Sequence, residues 1–236
     1  MGLIHEALPD LLRADELHRT ELASKYGQQR VWGGIKKLLA TVYLLLRDTE
    51  SAKRELRSDM KGILDWPDCF TDAGGGVGPG LLLWYIAARA PDAALESEAL
   101  TYLQDLLRKH NQPRFQGWPR HLAKFVLGQY SFAALLQDAF KCIDLDELER
   151  CAYVERAAPP PGEVPFFDAE VPPTGLLLRR HLAQALFYGG IKARLHDPAL
   201  GESLLRRCVS LKDVDIENEW YLAFLELGLV GPGPSR

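Results

Sequence analysis

Six histidines (His5, His18, His110, His121, His181 and His196) and four cysteines (Cys69, Cys142, Cys151 and Cys208) are the side chains of this sequence best suited to hold a metal or attack a substrate. A helix offers two ligands to one metal when they stand three or four residues apart, and no histidine stands so from another histidine or a cysteine. No two cysteines form a C-x-x-C unit, so the sequence predicts no metal and no cofactor, and the thiols read as buried groups of a reducing compartment. His121 and His181 each follow an arginine near the start of a predicted helix and read as cap or surface residues. The run Asp72-Ala73-Gly74-Gly75-Gly76-Val77-Gly78-Pro79-Gly80 could turn amide protons toward a phosphate at the start of the next helix. It lacks the lysine of a P-loop, a preceding strand and the glycine spacing of a dinucleotide site, so it reads as a flexible connection without regular structure. No serine or cysteine is placed at a strained turn beside a base. The sequence therefore nominates no catalytic residue, and the expectation is a binding protein rather than an enzyme.

Charge segregation is the sharper signal. Between Arg30 and Gly62, eight basic residues (Arg30, Lys36, Lys37, Arg47, Lys53, Arg54, Arg57 and Lys61) face four acids, a net +4. Between Asp144 and Glu170, eight acids stand against Arg150 and Arg156 alone, a net -6. The same stretch is proline-rich (Pro159, Pro160, Pro161 and Pro165, then Pro172 and Pro173) and carries Phe166 and Phe167 side by side. Prolines lower the entropy lost on docking, aromatics supply buried area and carboxylates steer a basic partner. Asp144, Asp146, Glu147, Glu149, Glu163, Phe166, Phe167, Asp168 and Glu170 are accordingly the candidate partner-binding residues. The alternative is that the two phenylalanines tack the loop onto its own core while the acids are merely solvated.

With 236 residues, 47% hydrophobic and 25% charged, the chain is globular and long enough for one extended domain or two small ones. A net charge of -4 and a pI near 5.9 argue against nucleic acid as the partner. Met1 to Tyr26 is interrupted by Glu6, Asp10, Arg13, Asp15 and Glu16, which excludes a secretory leader there. The longest apolar run, Leu81 to Ala88, is too short to cross a bilayer. The expectation is a cytoplasmic protein whose partner is another protein, not a membrane.

Apolar residues recur at three and four along most of the chain, which predicts an all-α fold. One or two amphipathic helices cover Gly2 to Tyr26, and others span Gln29–Leu46, Glu50–Leu64, Leu81–Arg89 and Ala94–His110. Further helices follow at Arg120–Leu127, Ser131–Ile143, Gly175–Leu195, Ala199–Leu211 and Ile216–Leu229. Asn111–Pro119, with Phe115 and Trp118, reads as a loop. The expected organisation is N-terminal hairpins over 1–156, a proline-rich loop or linker over 157–174, and a C-terminal hairpin plus final helix over 175–236, packed as one continuous domain.

Two of these hairpins repeat a pattern. Leu39, Ala40, Tyr43, Ala52 and Leu56 surround the turn Arg47-Asp48-Thr49, and Tyr188, Gly189, Gly201, Leu205 and Cys208 repeat those offsets around His196-Asp197-Pro198. This spacing resembles tetratricopeptide repeats, in which small residues let the two helices of a hairpin approach closely. The match covers roughly a third of the chain. Lys192 stands where that family has an aromatic, Asp59 occupies a normally small position, and the hairpin around Gly128 leaves the register. The resemblance implies a short solenoid or irregular array of stacked antiparallel hairpins.

In being all-helical, acidic and built from degenerate repeats, the chain is also similar to bacterial immunity proteins that neutralise a cognate toxin inside the producing cell. That likeness implies occlusion of a basic cleft by the acidic segment. Two other readings stay open. A repeat-type adaptor or chaperone would hold a peptide or effector in a groove, with Lys36, Lys37, Lys192 and Arg194 clamping a carboxylate terminus. A helical enzyme or ligand-binding regulator would need polar groups converging near Gly74 to Gly80.

Overall fold

An aspartate two or three residues past the last turn of one helix can stop that helix and cap the next, because its carboxylate accepts free amide protons. Three turns among the described residues use this device. Asp48 Oδ1 accepts from Ser51 N at 3.0 Å, Asp92 Oδ1 from Ala94 N and Leu95 N at 3.1 and 3.0 Å, and Asp197 Oδ1 from Leu200 N at 3.0 Å. The Ser51 side chain, and after it the Ser51 amide, hold the Asp48 carboxyl below the usual carboxylate range by hydrogen bonding to it. Each capped turn joins two antiparallel helices.

The computed structural model describes residues 2–17, 20, 33–65, 76–109, 117–141, 176–211, 214 and 217–229. Among them are ten helices and no strand: α1 (Gly2–Leu17), α2 (Gly33–Leu45), α3 (Thr49–Asp65), α4 (Gly78–Arg89), α5 (Ala93–Lys109), α6 (Arg120–Val126), α7 (Phe132–Lys141), α8 (Leu176–Arg194), α9 (Pro198–Ser210) and α10 (Asn218–Glu226). The fold is all-α, as the periodicity predicts. The described residues of Met1–Arg120 form one compact unit and those of His121–Leu229 a second. The proposed linker, 157–174, lies outside the described residues.

In the first unit each helix packs on the next in order, α1 on α2, α2 on α3, α3 on α4 and α4 on α5. Leu39, Ala40, Ala52 and Leu56 are wholly buried in the α2–α3 hairpin, where the repeat pattern puts them, and Arg47 turns the chain in the left-handed region at φ 64°. The α4–α5 pair is a third hairpin, with Leu82, Leu83, Ala99 and Leu103 wholly buried.

The glycine run differs from its sequence reading at its end. Gly78, Pro79 and Gly80 are the first turn of α4 and are buried. Proline is tolerated there because the first amides of a helix have no carbonyl partner. A Cβ on Gly80 would stand 2.5 Å from the Tyr102 ring of α5, and the Tyr102 hydroxyl donates to the Gly76 carbonyl at 2.7 Å. These glycines admit an aromatic side chain to a helix seam.

In the second unit α8 touches α7, α9 and α10 and is buried from His181 to Ile191. Its two adjacent glycines serve two neighbours. A Cβ on Gly189 would strike the Phe132 ring of α7, whereas one on Gly190 would stand 3.1 Å from the Gly201 carbonyl oxygen of α9. The residue that opposes Gly201 is thus Gly190, one position beyond the repeat expectation. Consecutive residues point about 100° apart on a helix, so a helix enclosed on several sides needs small residues on more than one face.

Candidate functional site

The acidic candidates Asp144, Asp146, Glu147, Glu149, Glu163, Phe166, Phe167, Asp168 and Glu170 lie outside the described residues. The four groove cations are described, and contacts within their own units engage three of them. Lys36 Nζ is 3.2 Å from Glu55 Oε2 and 4.0 Å from Asp15 Oδ1, an ion group that ties α1 and α3 to α2. Lys192 Nζ donates to the Phe125 and Val126 carbonyls at 2.7 and 3.3 Å and sits 4.7 Å from the Phe125 ring centroid. It therefore satisfies the open carbonyl end of α6, and burial lowers its pKa. Arg194 donates to Glu226 Oε2 at 2.9 Å and to the Glu226 carbonyl at 3.4 Å. Lys37 lays its stem beside Gly78, where an added Cβ would stand 3.1 Å from Cδ.

Sequence reasoning missed a polar ladder in the second unit. Arg180, Gln184 and Tyr188 recur every four residues along one face of α8 and meet two carboxylates at the start of α10. Arg180 Nε and Gln184 Nε2 both donate to Glu217, the latter at 2.7 Å, and the Tyr188 hydroxyl donates to Glu219 Oε1 at 3.1 Å. Glu217 and Glu219 are only 5% and 4% exposed. The helix N-terminus favours negative charge there, and the donors from α8 replace the lost water. The spacing Arg-x3-Gln-x3-Tyr is the local trace of this ladder, but its partners lie more than thirty residues away.

A second group joins α6, α7 and the turn between them. The Tyr130 hydroxyl donates to Asp138 Oδ2, and His121 Nε2 lies 3.7 Å from the same oxygen. The bond to Asp138 pushes the Tyr130 pKa up to about 12. His181 corrects the reading of a cap or surface residue: it is 8% exposed in the second turn of α8. Burial, with lesser help from the charges of Arg180 and His121, pushes its pKa down to about 3, so the ring is neutral at physiological pH. Cys208 is buried, donates Sγ to the Ala183 carbonyl at 3.3 Å and has its pKa raised by desolvation. Cys69, Cys142 and Cys151 lie outside the described residues.

The first unit holds a cleft of about 190 Å³ between the α2–α3 and α4–α5 turns. Leu44, Ile86 and Leu95 make its apolar floor, and Lys53, Arg89 and Asp92 its polar rim. Among the described residues no group of three or more His, Cys, Asp or Glu side chains could hold a metal ion, and no helix is long and apolar enough to cross a membrane. No family model, curated protein or solved structure matches the chain. The polar groups around Lys36, Lys192, Arg194, Glu217 and Glu219 join helix to helix.

Proposed function

We propose that the chain is a protein-binding scaffold of tetratricopeptide-like hairpins, and that it acts as an immunity protein, occluding the basic site of a cognate toxin. The observation that carries this choice is the engagement of Lys36, Lys192 and Arg194 inside their own units. A groove clamping a carboxylate terminus would have to break those contacts before using the cations, and a buried pair loses more on breaking than it gains in a new exposed one. The segment from Asp144 to Glu170, at net -6, is then the feature of the chain with charge to offer. Carboxylates in such a band accelerate encounter with a basic partner and fix its register. Against a nuclease they would stand where substrate phosphates bind.

Co-expression with the product of the adjacent gene tests the proposal, read by growth rescue and by recovery of a complex. Replacing Asp144, Asp146, Glu147, Glu149, Asp168 and Glu170 by their amides is expected to abolish rescue while helical content stays unchanged. A complex that survives those changes but is lost on replacing Lys36, Lys37, Lys192 and Arg194 would overturn occlusion in favour of the adaptor reading.

A further inference from the structure

We draw no further inference here: the strongest candidate, the first turn of α4 with the Lys37 side chain beside Gly78, is a helix end whose neighbouring lysine is partly exposed, and no second observation in the structure points to an anion there.

Discussion

The α2–α3 and α8–α9 hairpins share one spacing of residues and an aspartate-capped turn, yet their helices meet differently. In α2–α3 alanines at 40 and 52 are wholly buried, so methyl groups stand between the backbones. In α8–α9 there is no room for a methyl: a Cβ on Gly201 would stand 2.7 Å from the Gly190 carbonyl oxygen and 2.8 Å from the Arg194 nitrogen. The cause lies in the neighbours. Helix α2 belongs to a sequential stack and leaves Leu38 42% exposed, while α8 is enclosed by α7, α9 and α10. A helix at the centre of its unit has to let backbones approach, and it draws polar side chains such as Gln184 inward with it. One repeat pattern can thus serve a layer in a stack or the axis of a bundle.

The largest expected effect is the one that would break this contrast most directly. Gly201→Ala forces a methyl against backbone atoms that cannot swing aside and should cost about 3 kcal/mol, despite the better helix propensity of alanine. Ala52→Gly in the other hairpin should cost only about 1 kcal/mol, the propensity difference plus one lost methyl contact. Urea unfolding measures both. Comparable losses would mean that the two seams are equally close.

The second expected effect is a dependence on pH centred on the second unit. His181 titrates near 3 when folded and near 6.5 when free, so the unfolded chain binds more protons between those values. Stability is therefore complete above about pH 6.5 and falls as pH drops, by about 1.4 kcal/mol for each unit at most. Hydrogen exchange should show amides of α8 losing protection between pH 6.5 and 5 before those of α2 do. His181→Phe should flatten that trend. If α2 amides open in step with α8 amides, the titration is not local to this histidine.

Helix positions were legible because apolar residues recur along α2, α3, α8 and α9 and because Asp48 and Asp197 mark the turns between them. Asp92 is the same signal in a third hairpin, but the eighth residue before it is Trp84 and the fourth after it Glu96, where the other two hairpins carry alanine or glycine, so the repeat offsets do not reveal it. The start of α4 is hidden from the sequence for a different reason. Gly78-Pro79-Gly80 looks like coil locally, and the ring that makes Gly80 necessary, Tyr102, lies on the next helix. Gln184 and Tyr188 leave a four-residue spacing along α8, but nothing local pairs them with Glu217 and Glu219, more than thirty residues on. Of the candidate residues, the four alternative cations could be placed and three of them, Lys36, Lys192 and Arg194, are engaged within the fold, while the acidic set lies outside the described residues.

The smallest expected effect sharpens the comparison at the turns. Asp92 bonds two amides of α5 with alanine at the first helical position, whereas Asp197 bonds one amide of α9 and is followed there by Pro198. Proline presets the backbone angle of that first position, so less of the turn in α8–α9 depends on its aspartate. Asp92→Ala should then cost about 1 kcal/mol and Asp197→Ala about 0.5 kcal/mol, read from denaturant midpoints and from exchange of the first-turn amides. A larger loss at Asp197 would show that the close α8–α9 approach leans on its cap, because a seam with no space for a methyl also has none for a frayed first turn.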